Sequence, residues 1–168
     1  HIETVGVSNI VTTVSPKLNA GVDVFINPNV QQVVFRTELS LSYVNANFGV
    51  NSNEQLSFKQ YTDAITPQVL FNIYNKNSFK FYLDAGISLN LSTYSDNKFF
   101  FVGAADNPLP PIKLDHYWSS SPFQAGMVFN KRIELSFTYS GLSSYTKYDG
   151  FSMSNRTYGA GIKYLFGK

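Results

Sequence analysis

From Phe79 to Leu91 the chain alternates without a break. Phe79, Phe81, Leu83, Ala85, Ile87, Leu89 and Leu91 take one side of an extended backbone; Lys80, Tyr82, Asp84, Gly86, Ser88 and Asn90 take the other. Successive β side chains point to opposite faces, whereas a helix repeats every 3.6 residues, so this run is a strand and not a helix. The same division recurs at Leu18, Ala20, Val22, Val24 and Ile26 against Lys17, Asn19, Gly21 and Asp23, and at Val33, Phe35, Leu39, Leu41 and Tyr43 against Arg36, Glu38, Ser40 and Ser42. Near the C-terminus, Ile133, Leu135, Phe137 and Tyr139 oppose Glu134, Ser136, Thr138 and Ser140, and Tyr158, Ala160, Ile162, Tyr164 and Phe166 oppose Thr157, Gly159, Gly161 and Lys163.

Seven such segments are expected, at 17–26, 32–44, 63–74, 79–91, 122–129, 132–142 and 156–166. No stretch repeats apolar residues at helical spacing, so the fold class is all-β, in one domain spanning residues 1–168. The connections alternate in length. They are short at 27–31, at 75–78 and around Asn130-Lys131-Arg132, and long at 45–62, 92–121 and 143–155. Every second connection of an up-and-down antiparallel sheet lies at the same end, and outer-membrane barrels pair short periplasmic turns with longer extracellular loops. The pattern therefore predicts an antiparallel up-and-down transmembrane β-barrel.

Composition narrows what covers the apolar face. Only 14% of the residues are charged, against roughly 25% in soluble domains. The polar face is rich in Gly, Ser and Asn, and its charges balance: Lys17, Arg36, Lys80 and Lys163 against Asp23, Glu38, Asp84 and Glu134. Such balance suits a closed interior better than a solvent-facing sheet, and strands of this length cross a bilayer when tilted. Aromatic residues gather at strand ends (Tyr43 and Phe48; Tyr74, Phe79 and Phe81; Tyr117 and Trp118; Tyr139 and Tyr145; Tyr164 and Phe166), as interfacial girdles require. The apolar face is accordingly read as facing lipid.

Bacterial barrels have an even strand count, so an eighth strand is expected. Residues 1–16 hold either that short first strand, through Val5, Val7 and Val11, or the end of an extracellular loop whose strand lies upstream. The chain begins at His1 without a signal-peptide hydrophobic region, as in a mature or trimmed form. The absence of Cys excludes disulfides, thiol catalysis and cysteine metal sites, and a net charge of +2 without basic clusters removes the electrostatic case for nucleic acid. No run approaches the ~18 apolar residues of a membrane-spanning helix.

Three stretches resemble the PorT-like small outer-membrane β-barrel family of the Bacteroidetes: Phe35-Arg36-Thr37-Glu38-Leu39-Ser40-Leu41-Ser42-Tyr43, Phe81-Tyr82-Leu83-Asp84-Ala85-Gly86, and Tyr158-Gly159-Ala160-Gly161-Ile162-Lys163-Tyr164-Leu165-Phe166. The likeness spans about 17–166. It implies location and architecture, in a family that includes components tied to protein secretion, and it transfers no active site.

Two sets of side chains stand out. Asp23, Arg36, Glu38, Lys80, Asp84, Glu134 and Lys163 fall on the polar face and are expected to form an ion-pair network in the periplasmic half of the lumen. Phe99, Phe100 and Phe101 in the longest loop, with Trp118, form a candidate partner contact, a strand extension above the membrane, or a segment over the barrel mouth. Asp115-His116-Tyr117-Trp118-Ser119-Ser120-Ser121 contains the residue types of a serine triad. Neighbouring loop residues diverge, however, whereas a triad is assembled from separate elements. No enzyme activity, cofactor or metal is therefore expected. The sequence reads as a structural or binding subunit, or an anchor, of a cell-envelope complex, contacting membrane lipid and a protein partner. Its alternatives are a small transporter or channel for hydrophobic molecules and a soluble lipocalin-like binder with the faces reversed.

Overall fold

The computed structural model describes residues 14–27, 32–49, 54–76, 78–101, 116–144 and 154–166. These form one strongly curled antiparallel sheet without helices, built from β1 (Lys17–Phe25), β2 (Val33–Gly49), β3 (Glu54–Lys76), β4 (Phe79–Gly86), β5 (Ser88–Phe101), β6 (Tyr117–Ser120), β7 (Pro122–Phe129), β8 (Ile133–Ser144) and β9 (Ser154–Tyr164). The order is β1-β2-β3-β4-β7-β8-β9, and β5 pairs with β3 and β6.

Nine strands make only seven spans. The pairs Gln68↔Gly86 on β4 and Ile65↔Leu89 on β5 keep one register against β3, so β4 and β5 are collinear. The interruption lies at Pro67. Its carbonyl accepts the Ile87 N–H at 3.2 Å, but proline has no N–H to return the second bond of the pair. Strands β6 and β7 continue one another in the same way, since Ser88↔Ser120 and Ala85↔Phe123 share a register.

Three expectations are corrected by these ladders. The run 79–91 is divided at Ile87, and 45–62 is not a long loop, because β2 reaches Gly49 and β3 begins at Glu54. The loop expected at 92–121 is also shorter, since β5 runs to Phe101 and β6 starts at Tyr117. Seven alternating spans leave β1 and β9 pointing the same way, and the two share no ladder among the described residues. The eighth strand expected within 1–16 would fall largely on residues 1–13, outside the described residues.

Burial is inverted relative to a water-soluble domain. Arg36, Glu38, Gln60, Gln68, Asp84, Gln124 and Glu134 are buried, while Leu18, Val22, Phe35, Leu39, Phe71, Ile73, Leu89, Phe137 and Ile162 are exposed. The buried apolar residues, Val34, Leu70, Tyr82 and Val128 with Leu165 packed against them, form a plug at the short-turn end of the interior. A soluble lipocalin-like barrel, with an apolar interior, is thereby excluded.

The β7–β8 turn is closed by the Arg132 N–H donating to the Phe129 carbonyl at 3.0 Å. Its central residues Asn130 (φ 50) and Lys131 (φ 58) are both left-handed. That geometry matches the right-handed twist of the flanking strands; Asn suits it, whereas Lys adopts it under strain. Lys131→Gly is therefore expected to stabilise the fold by up to about 1 kcal/mol, and the β-branched Lys131→Ile to destabilise it by a similar amount. The urea midpoint for loss of the compact, heat-modifiable gel form checks both signs.

Candidate functional site

The charged residues converge because the sheet curls. Asp23 is the ladder partner of Arg36 across β1 and β2, and Glu134 is the partner of Lys163 across β8 and β9. Those pairs are local; the contacts between them cross the interior. Arg36 donates from Nε and Nη2 to the Asp23 carboxylate at 2.6 and 2.9 Å, and from Nη1 and Nη2 to the Glu134 carboxylate at 2.9 and 2.8 Å. One guanidinium thus holds two carboxylates bidentately, a geometry its rigid fork allows and an ammonium cannot match. Lys163 pairs with Glu38 on β2 and lies 3.2 Å from Glu134, while Glu38 is 3.7 Å from Arg36 Nη1.

Tyr82 is the uncharged centre of this layer. Its hydroxyl donates to Glu134 Oε1 at 2.7 Å and accepts from Gln124 Nε2 at 2.8 Å; Arg36 Nη1 approaches it at 3.4 Å. Gln124 also donates to Asp84 at 3.0 Å and accepts from Thr138 at 2.9 Å, which joins Asp84 to the layer. The second Asp84 oxygen has no hydrogen-bond partner. The Lys80 ammonium lies 5.8 Å from the centre of the Phe25 ring. Of the seven charges singled out, Asp23, Arg36, Glu38, Glu134 and Lys163 are in direct contact, and Asp84 is reached through Gln124.

Tyr82, Gln124 and Thr138 were not among the candidates. A signal existed: Tyr82 lies on the polar face opposite Gly126. A Cβ at Gly126 would sit 2.2 Å from Tyr82 Cζ and 2.3 Å from its hydroxyl oxygen, so the missing side chain is the space the ring occupies.

Outside, aromatic residues form two rows. Toward the long-loop end, Tyr43 and Tyr61 stack at 4.7 Å, Tyr94 follows at 6.0 Å, and Tyr139 meets Tyr158 at 5.3 Å. Toward the short turns, Tyr74, Phe79 and Phe129 adjoin at 5.9 and 5.4 Å, and Tyr164 meets Phe166 at 4.8 Å. From Tyr61 to Tyr74 a strand tilted by ~45° rises about 30 Å, the thickness of a hydrocarbon core.

Beyond the outer tyrosine row β2, β3 and β5 continue together, and β8 and β9 continue as a pair to Ser144↔Ser154. The β1 ladder stops at Lys17↔Ser42 and the β6 ladder at Leu91↔Tyr117, whereas β2, β3 and β5 stay paired up to Gly49, Glu54 and Phe101. A register shift between Tyr61 and Thr62 changes the phase of β5. Past it, Asn45, Lys59 and Asp96 are register partners on the face that continues Tyr61. That outward face, apolar between the aromatic rows, is polar there.

The candidate partner contact is divided by this arrangement. Phe99, Phe100 and Phe101 are strand positions rather than loop residues, and Trp118 pairs with Asn90 well below them. Among the triad-like residues, Asp115 is outside the described residues, while His116 precedes β6 and gives its carbonyl to the Ser92 N–H at 2.8 Å. No group of His, Asp and Glu among the described residues is arranged to hold a metal ion.

Residues 17–138 match the family described as Helicobacter outer membrane protein. The chain belongs to that family. Neither a curated protein nor a solved structure matches it. Membership places the chain in the outer membrane of a Gram-negative bacterium, with lipid against its exposed apolar wall. The resemblance to the PorT-like family is corrected accordingly. Its strands with inward acids and terminal aromatics are features that small outer-membrane barrels share whatever their lineage.

Removal of Arg36 takes the bidentate partner from both Asp23 and Glu134 and leaves Glu134 with Lys163 and the Tyr82 hydroxyl. Arg36→Leu is expected to cost about 3–5 kcal/mol, and Arg36→Lys, which keeps the charge but loses both forks, a smaller part of that. Gly126→Ala should cost about 1–3 kcal/mol by driving Tyr82 out of its plane. Urea titration of the heat-modifiable form ranks the three variants.

Proposed function

We propose that this chain is a non-enzymatic anchor and binding subunit of the outer membrane, whose interior is sealed and whose strands beyond the outer aromatic row present a surface to a protein partner. The observation that carries the reading is the filled cross-section at Tyr82. Tyr82 and Glu134 are 1% and 0% exposed, and the Arg36, Glu134 and Gln124 side chains meet on the Tyr82 hydroxyl above the Val34–Leu70–Val128 plug. Small barrels of about eight strands are just wide enough for side chains to fill them. The charges therefore serve to neutralise one another in a closed interior rather than to pass ions.

A second reading has one observation in its favour. Strands β1 and β9 share no ladder among the described residues, which suits passage of hydrophobic molecules through the wall. The two readings separate in reconstituted vesicles. An anchor requires detergent for extraction, shifts its gel mobility on boiling, gives no conductance above the bare bilayer and does not speed uptake of an apolar dye. Steady conductance, or dye uptake that scales with the amount of protein, would replace it with transport.

A further inference from the structure

Charge is distributed unevenly between the two ends of the barrel wall. Of the short connections, 27–31 carries no charge, while 75–78 and 130–132 carry Lys76, Lys131 and Arg132 and no acid. All three of these residues are exposed. Glu134, two residues from Arg132, is turned inward and held by Arg36. The opposite end mixes signs, with Glu54, Lys59, Asp96 and Lys98 on β3 and β5.

The two charged turns form one unit. Lys76 closes its hairpin opposite Phe79, Phe79 pairs with Phe129 on the next strand, and the Asn130 N–H donates to the Ser78 carbonyl at 2.6 Å. Arg132 is tied twice to the C-terminal end of β9: its carbonyl accepts the Leu165 N–H at 2.7 Å, and its Nη1 donates to the Tyr164 hydroxyl at 3.1 Å. Tyr164 is an outward residue in ring contact with Phe166, so the guanidinium lies against the lipid side of the wall. Lys131 occupies the turn tip in a left-handed conformation (φ 58) that favours glycine, and nothing in the turn's backbone calls for a lysine there.

We propose that Lys76, Lys131 and Arg132 form a docking surface for the phosphate groups of anionic phospholipids in the inner leaflet of the outer membrane. The short turns of outer-membrane barrels face the periplasm. The aromatic row of Tyr74, Phe79, Phe129, Tyr164 and Phe166 sets the hydrocarbon boundary just inside the three cations. Cations immediately beyond such a row lie among lipid headgroups, where each favours acidic lipid by about fivefold. Lipid fits better than a soluble acidic protein, because the bond to Tyr164 directs Arg132 along the apolar wall rather than into the periplasm. The dock makes no use of the interior, so it stands whether or not the barrel conducts.

The test is native mass spectrometry of the heat-modifiable protein taken from mixed micelles that hold equal amounts of phosphatidylglycerol and phosphatidylcholine with the same acyl chains. The unaltered chain should retain phosphatidylglycerol over phosphatidylcholine. Lys76→Gln, Lys131→Gly and Arg132→Gln should each reduce that preference by about two- to fivefold, and the triple variant should bring it close to parity. Lys59→Gln and Arg156→Gln, which remove exposed cations at the long-loop end, should leave it unchanged. The gel shift on boiling shows that each variant is folded, and Lys131→Gly, which relieves the turn, keeps the test readable if either of the others weakens the fold. Equal retention of the two lipids by the unaltered chain would overturn the proposal, as would an equal loss of preference in the long-loop variants. Polyglutamate stands for a soluble acidic partner: binding that the triple variant abolishes while the lipid preference persists would give the patch to such a partner and overturn the proposal equally.

Discussion

One guanidinium fixes how far the sheet curls. Arg36 projects from β2 yet holds Asp23 of β1 on one edge of its plane and Glu134 of β8 on another. Along the sheet, β2 and β8 are separated by β3, β4 and β7, so these bonds exist only if the sheet rolls until its ends approach. Lys163 of β9 adds a second link across the same gap through Glu38. Buried charges are costly unless each is paired and hydrogen-bonded, which makes a flatter sheet unfavourable: it would part Arg36 from Glu134 and Lys163 from Glu38. Tyr82 completes the arrangement by giving Glu134 a neutral donor, and Gly126 makes room for the ring.

The alternation of side chains made the spans and their two faces readable from the residues alone. Asp23 opposite Arg36 was readable too, because a strand pair joined by a short connection has few possible registers; the longer β8–β9 connection leaves the pairing of Glu134 with Lys163 open to more registers. The contacts between those pairs were not readable, since curl is a property of the whole sheet and no local pattern encodes it. Tyr82 shows the limit most clearly. Its place on the polar face is plain in the sequence, but its partners Glu134, Gln124 and Arg36 come from three other strands.

The long hairpin of β2 and β3 was misread for a physical reason. A strand in lipid shows apolar residues outward, and that template fits up to Tyr43 and again from Asp63. Past the tyrosine row the outward face turns polar: Asn45, Lys59 and Asp96 are register partners on the face that carries Tyr61. Water replacing lipid as the outer solvent produces that change, because exposed β faces become polar where they are hydrated. A search for one phase of alternation therefore stops at the membrane boundary although the strands do not. The register shift between Tyr61 and Thr62 compounds the effect, moving β5 by one residue and so changing which of its positions face outward.

Pro67 shows why strand ends and ladder ends are different things. Pro67 lies in the middle of the longest strand, where a central proline would ordinarily argue against a strand at all. It is tolerated because only its side toward Ile87 lacks a donor, and the pairs that flank the break stay in step. An antiparallel ladder loses one bond at such a point and keeps its register, since register is set by the whole row of pairs and by which face each residue must show to lipid or lumen. A one-residue slip after the proline would turn Gln68 toward lipid and Val69 toward Asp84, at a cost far above that of one missing hydrogen bond. The polarity of the two faces, rather than the continuity of the backbone bonds, is what holds each strand of this barrel wall in place.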